Sequence, residues 1–263
     1  DGALGSRGAW LLEPYSDAPD SVGLNTASLE SVAETARLAA VHDYQLCVHA
    51  IGDRANRETL DMFETTLERH GKLGGDHRWR VEHAQHLSLG DVPRFASLGI
   101  VASMQGVHCT SDGPWVVARL GERRAREGSY VWRDLWRSGP LVTNGTDAPV
   151  EDVDPIASYH STVTRRTGDG TVFFGDQALG RMQALESYTI NCARAAFEED
   201  LKGSLTPGKL ADVVVLSEDV LTVPAERILD ARVLATFVGG RMVHAVAPFG
   251  QRAGADAGRP GIW

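Results

Sequence analysis

The stretch that decides the reading is Cys47-Val-His-Ala-Ile-Gly-Asp-Arg-Ala55, a short apolar run that ends in a histidine and breaks into Gly-Asp before a helical pattern. Strand side chains alternate between faces, so Cys47 and His49 point one way while Leu46 and Val48 point the other. His49 is therefore expected as the last strand residue before a loop that leads into a helix. Where parallel strands close on one another, that position carries the chemistry. A single histidine at a strand end is more often structural than functional, so the weight rests on whether the arrangement recurs.

Working outward, the same alternation appears on both sides. Upstream, a helix starting near Asn25 or Thr26 would carry Leu29, Val32, Ala33, Ala36 and Ala40 on one face. Before it lies Asp1-Gly-Ala-Leu-Gly-Ser-Arg-Gly8, which reads as the loop following a strand outside this sequence. Its glycines are spaced G-x-x-G-x-x-G with no strand before them, which does not fit a phosphate cradle. Downstream, a helix over 55–70 buries Leu60, Phe63 and Leu67 and ends at Gly71. A strand over 79–83 follows, then a short helix capped by Ser88-x-x-Asp91 and carrying Val92 and Phe95, then a strand over 100–104.

Residues 106–138 are longer than a plain crossover, and their Arg119, Glu122, Arg123, Arg124, Arg126 and Glu127 read as a solvated helical face. A fourth strand over 141–146 ends at Asp147, and helices follow near 155–165 and 182–198. Such alternation builds right-handed βαβ units and a parallel sheet, an α/β fold. After residue 199 the character changes. A turn at Pro207-Gly-Lys-Leu-Ala-Asp212 leads into a strand over 213–216, and two further strands flank Gly239-Gly240, a hairpin signal. The division expected is an α/β unit over 1–198, a small β-module over 199–247 and a mobile tail over 248–263.

Composition narrows the function classes. The 263 residues carry a formal charge of −9, whereas nucleic acid and anionic membrane surfaces both require a basic footprint. No apolar stretch is long enough to span a bilayer, and no signal-peptide pattern is present. Cys47, Cys109 and Cys192 are scattered and form no Cys-x-x-Cys, which suits a reduced, cytoplasmic protein.

Three strands end in a metal-ligating residue: His49, His83 in Val81-Glu-His-Ala-Gln85, and Asp147 in Gly145-Thr-Asp-Ala-Pro149. In a closed parallel barrel the strand C-termini converge, so residues far apart in sequence meet at one mouth. Two imidazoles and a carboxylate suit zinc, with iron or manganese as alternatives. A metal there would lower the pKa of bound water to about 7, and the carboxylate would take its proton.

These motifs resemble the amidohydrolase superfamily, specifically the amidohydrolase-3 branch that contains N-substituted formamide deformylases. Besides the three strand ends, the opening Asp1-Gly-Ala-Leu-Gly-Ser-Arg7 and Gly203-Ser-Leu-Thr-Pro-Gly-Lys-Leu-Ala-Asp212 carry the likeness. It implies a distorted (β/α)8 TIM barrel with an appended β-sandwich. It also implies that His49 and His83 are the metal-binding histidines of strands five and six. Asp147 would be the strand-eight aspartate, both a ligand and the general base. The substrate implied is a small molecule with an amide-type C–N bond.

The family's first metal site uses a His-x-His on strand one and often a carboxylated lysine on strand four. Here His83 and His86 are three apart, and the only lysines are Lys72, Lys202 and Lys209. The family places its lysine just before the Asp-Gly that opens this sequence. The chain thus looks like strands five to eight of the barrel plus part of the sandwich. The competing reading is a non-catalytic remnant, or a subunit that works with a separate N-terminal half. Open sheet edges would then favour pairing with that half or with a second copy.

Five further residues are candidates for substrate contact. Arg7 would bind a carboxylate or brace the loop; Asp53 would position substrate or cap the following helix. Gln85 and Gln105 lie just past strand ends, as does His86. Trp115 would line a hydrophobic pocket or pack the long segment. His108 is expected in a solvent-exposed loop.

Overall fold

A computed structural model describes residues 1–247 and Phe249. The tail expected to be mobile lies, but for Phe249, outside the described residues. After an irregular opening loop the chain runs through α1 (Leu29–Val41), β1 (Cys47–Ala50), α2 (Asp53–Arg69), β2 (Arg80–His83), α3 (Val92–Leu98) and β3 (Val101–Gln105). Three helices then follow in succession, α4 (Gly106–Leu120), α5 (Glu122–Gly128) and α6 (Trp132–Ser138), before β4 (Val142–Gly145). The remainder comprises α7 (Pro155–Thr164), α8 (Arg181–Tyr188), α9 (Ile190–Ala195), β5 (Val213–Leu216), β6 (Val233–Val238) and β7 (Arg241–Ala245).

The first four strands form one parallel sheet in the order β1-β2-β3-β4, with His49 opposite Glu82, Glu82 opposite Ser103 and Ser103 opposite Thr143. One face is apolar. Val81, Ala102, Met104 and Val142 join Leu60, Phe63 and Leu67 of α2, Phe95 of α3 and Trp79, which directly precedes β2, in a single buried core. The stripe expected on α2 is thus the one buried, because its three residues recur on one helical face. The opposite face carries Cys47, His49, Arg80, Glu82, Ser103 and Gln105, none of which is fully buried. It is the polar side of the sheet.

The second sheet is antiparallel, β5-β6-β7. The β6–β7 turn is Gly239-Gly240 with φ of 56° and 77°, the paired left-handed residues that a tight two-residue hairpin demands.

Several expectations are corrected. Helix α1 begins at Leu29, and its cap is Ser28, whose hydroxyl accepts from the Ser31 N–H at 3.2 Å. Asn25 and Thr26 lie before the helix, and its buried residues are Ala36, Ala39 and Ala40. Leu29, Val32 and Ala33 instead line a groove of about 930 Å³ between α1, α2 and β1.

Strand β1 continues one residue past His49, to Ala50 opposite His83. Asp91 precedes α3 but does not cap it; its buried carboxylate accepts from Arg57 Nε at 2.8 and 2.9 Å and from Arg94. A charged partner is the stronger competitor for a buried carboxylate.

Within the charged run Glu122, Arg123, Arg126 and Glu127 are exposed, as a solvated face requires, but Arg119 and Arg124 turn inward. Arg119 donates to Gly5 O at 3.0 Å, and Arg124 donates to Glu13 O at 2.9 Å and Pro14 O at 2.7 Å. An irregular loop leaves carbonyls unpaired, and these guanidinium groups satisfy them. The helix expected over 182–198 is two, broken at Thr189 with φ −118° and ψ −93°. Among the described residues no helix is long and apolar enough to cross a membrane.

Candidate metal centre

The opening loop delivers Asp1 to the sheet. Its fully buried carboxylate accepts the Trp10 N–H at 2.8 Å, the Ile51 N–H at 3.0 Å and the Gly52 N–H at 2.8 Å. It thereby ties the loop to the β1–α2 turn. Its Oδ1 also lies 3.3 Å from His49 Nδ1, which leaves His49 Nε2 outside that contact. Burial lowers the His49 pKa below its ordinary value.

His83 ends β2. Strict alternation from Val81 would aim it at the helices, but its φ of 77°, followed by 44° at Ala84, takes the backbone out of the strand. Its ring therefore meets the polar side. It stands edge-on to the His49 ring with centroids 4.4 Å apart, and its Nδ1 is 2.8 Å from Gln105 Oε1. A carboxamide oxygen only accepts, so Nδ1 carries the proton and Nε2 keeps a free lone pair. Burial, with His49 beside it, lowers the His83 pKa to about 4. The ring is neutral at pH 7, as a metal ligand must be.

Asp147 lies just past β4 in a left-handed conformation, φ 58°. Facing it is His108, which sits in the first turn of α4 and is 8% exposed. Its Nε2 lies 3.9 Å from Asp147 Oδ2, and its ring stacks on His83 with centroids 5.8 Å apart. That Nε2 is buried with no hydrogen-bond partner. Ligand-capable atoms of His83, His108 and Asp147 all lie within 4.8 Å of one another. His49 stands outside that set and reaches it through the His83 ring.

The sequence puts His108 just past a strand end, where a loop histidine is more often exposed than a ligand. The structure instead starts a helix there, and Gly106 permits it: a Cβ at that position would come within 2.1 Å of Thr162 Oγ1 and 2.5 Å of Ser158 O on α7. The glycine allows α4 to start directly at the strand end and pack on α7. Asn144 Oδ1 accepts from the Gly106 N–H at 2.9 Å, and Ser158 Oγ from the Val107 N–H at 3.1 Å. Asp1 was legible only as a loop residue.

The other candidates divide. Gln105 orients His83. Gln85 spends its amide on Tyr130 Oη at 2.7 Å and Asp112 Oδ2 at 3.1 Å. Burial raises the pKa of both Asp112 and Tyr130, and the Tyr130 hydroxyl donates to Asp112 at 2.6 Å. Asp53 does not cap α2; its Oδ1 accepts the Leu12 N–H at 2.9 Å. Arg7 pairs with Asp17 through two bonds of 3.1 Å, with Arg119 on the same carboxylate. Trp115 packs its ring on Gly5, 3.1 Å from where a Cβ would stand.

The Amidohydrolase family model, Amidohydro_3, matches residues 1–244. The chain belongs to the amidohydrolase family. Within it, the chain is 38% identical over 93% of its length to Protein LONG AFTER FAR-RED 3 of Arabidopsis thaliana, covering 42% of that protein. It is 28% identical over 83% of its length to the N-substituted formamide deformylase of Arthrobacter pascens, covering 40% of that enzyme. A crystal structure of an uncharacterized metal-dependent hydrolase from Pyrococcus horikoshii OT3 superposes with a TM-score of 0.76 at 33% identity, over 86% of this chain and 44% of that one. The chain thus spans less than half the length of these relatives.

Proposed function

We propose that this chain supplies one side of a metal-dependent amidohydrolase centre acting on amide-type C–N bonds of a small molecule. The observation that carries the reading is His83, held through Nδ1 by Gln105 with Nε2 free, beside Asp147. His49, fixed by Asp1, offers a second imidazole against it. Neutral imidazoles and a carboxylate fit a divalent cation, zinc by ligand type, with iron or manganese accommodated by the same donors. In this reading His49, His83 and Asp147 hold it.

Bound there, a cation supplies Lewis acidity and brings the pKa of a coordinated water to about 7. The chain's own residues do the rest. Asp147 accepts a proton from the attacking water and returns it to the leaving nitrogen. Gln105 and Asp1 keep the two imidazoles in the tautomer and orientation that leave each Nε2 available.

The four-stranded sheet is, on this proposal, one half of an eight-stranded barrel. The groove of about 930 Å³ along β1 marks where a neighbouring strand fits, and Leu29, Val32 and Val48 line it. The mouth is then completed by residues beyond this chain, whether in the same polypeptide or in a separate one.

The test is metal analysis of the intact polypeptide that carries this chain, purified without chelator, together with Asp147→Asn. About one or more equivalents of zinc, iron or manganese are expected, and Asp147→Asn should lower kcat by roughly 10²–10⁴-fold on amide or formamide substrates. Residues 1–263 alone, assayed beside it, should turn over negligibly, because an open mouth neither excludes water nor strengthens its electrostatics. Absence of metal at saturation would overturn the reading.

A further inference from the structure

His108 is the one member of the mouth that neither the strand ends nor the proposed ligand set accounts for. It is buried, yet its Nε2 has no partner. A polar atom removed from water in this way is a lost hydrogen bond unless something outside the protein atoms meets it. What it faces is informative. Asp147 Oδ2 is 3.9 Å away, too far for a hydrogen bond. If Nε2 carries a lone pair, two acceptors stand 3.9 Å apart with no donor between them, an arrangement that a positive charge between them would relieve.

We propose that His108 is a direct ligand of the cation, its Nε2 binding from α4. The proposal rests on the metal-centre reading above and extends its ligand set. One cation between His83, His108 and Asp147 gives the unpartnered nitrogen a partner and separates it from the carboxylate. Ligand atoms on one zinc at bond lengths of about 2.0–2.1 Å stand roughly 3.3 Å apart. The three atoms here lie within 4.8 Å of one another, so closing on a cation takes side-chain shifts of about an ångström.

The scaffold supports such a role. His108 sits in the first turn of a helix whose start is fixed at both of its first two N–H groups, by Asn144 and Ser158. Those two residues belong to β4, which precedes Asp147, and to α7, which follows it. The segment that presents His108 and the segments that present Asp147 are therefore tied together. His83 is linked to the same point, since Gln105, which holds its Nδ1, immediately precedes α4.

The experiment is a Co²⁺ titration of the chelator-stripped intact polypeptide, read by visible absorption and by competition with a chromogenic chelator. His108→Ala should weaken the tightest-bound Co²⁺ by about 100-fold or more and alter its visible bands, since a ligand has been lost. Gln105→Ala, which removes only what orients His83, should weaken binding by roughly 10–100-fold and leave the bands in place. Any loss of melting temperature in metal-free His108→Ala should be confined to the ring's packing on His83, because nothing in the protein pairs with Nε2. Should it fail to fold, His108→Gln carries the same readouts. Wild-type affinity and unchanged bands in the folded variants would overturn the proposal while leaving the metal centre standing. A wild-type protein that takes up no Co²⁺ would overturn both.

Discussion

The two faces of one sheet obey different rules. Toward the helices, β1 to β4 present Ala50, Val81, Ala102, Met104 and Val142, all buried in a single apolar core with Phe63, Trp79 and Phe95. Toward the mouth, the same strands end in His83 at φ 77° and lead on to Ala84 at 44° and Asp147 at 58°. Left-handed backbone at a non-glycine residue costs on the order of 1–2 kcal/mol. The helix-facing layer gains from burial and tolerates any side chain of similar size and shape. The mouth draws on that gain to hold specific side chains in conformations they would not choose. Stability and chemistry are therefore separable by mutation.

The largest effect expected is on the helix-facing side. Phe63 is fully buried and packs edge-on to Trp79 with centroids 5.1 Å apart. Phe63→Ala should cost about 3–5 kcal/mol in urea unfolding, through lost transfer energy and the cavity left behind. At temperatures where the variant remains folded, its affinity for Co²⁺ should match wild type. A loss of affinity out of proportion to the unfolded fraction would show that the two faces are coupled.

This division explains what was legible in the sequence. The helix-facing layer follows a period, so Leu60, Phe63 and Leu67 announce α2 and the four strands fall within a residue or two of their expected places. His49, His83 and Asp147 stand out in the sequence because they recur at strand ends; the structure brings His83 and Asp147 together, while His49 meets the His83 ring. The rest of the mouth obeys no period. His83 reaches it only by leaving strand geometry, and His108 only because Gly106 lets α4 approach α7. Asp1 acts through a loop that has no periodic signal at all. Arg119 and Arg124 looked like a solvated face because nothing local shows that their partners are carbonyls of Gly5, Glu13 and Pro14, more than a hundred residues away in sequence.

A second, smaller effect separates the faces by pH. His86 lies just behind the mouth, wholly buried, with Nδ1 2.9 Å from Ser129 Oγ, and burial lowers its pKa to about 3. An unfolded histidine titrates near 6.5. Between those values the unfolded chain binds the extra proton, so stability is full above about pH 6.5 and is lost as the pH falls. The slope is at most about 1.4 kcal/mol per pH unit for each such group, or roughly 2 kcal/mol between pH 6.5 and 5. His83, lowered to about 4, adds to the same window. Urea unfolding at pH 7, 6 and 5 should show the loss, and His86→Asn should flatten the slope by one group's share. An unchanged slope would mean that His86 is reached by water when folded.

The smallest effect tests the edge at which the helix-facing layer stops. Only the later part of α1, at Ala36, Ala39 and Ala40, is buried; its first turn stands over the groove beside β1 with Leu29 41% exposed. Ser28 is what holds that turn, through the Ser31 N–H. Removing such a cap typically costs about 0.5–2 kcal/mol when the helix end is otherwise fixed. Where the groove is open, the first turn can fray at little further cost, and Ser28→Ala should approach the lower end of that range. Where a neighbouring strand fills the groove, Leu29 and Val32 are packed and fraying would expose them, so the loss should approach the upper end. Ser28→Asp, which keeps an acceptor for the same N–H, should restore stability in both cases. Measured on residues 1–263 and on the intact polypeptide, the difference between the two losses reports whether the groove is covered. Equal losses would mean that the first turn of α1 is held to the same degree without a neighbour, and that the open edge of β1 is no seat for one.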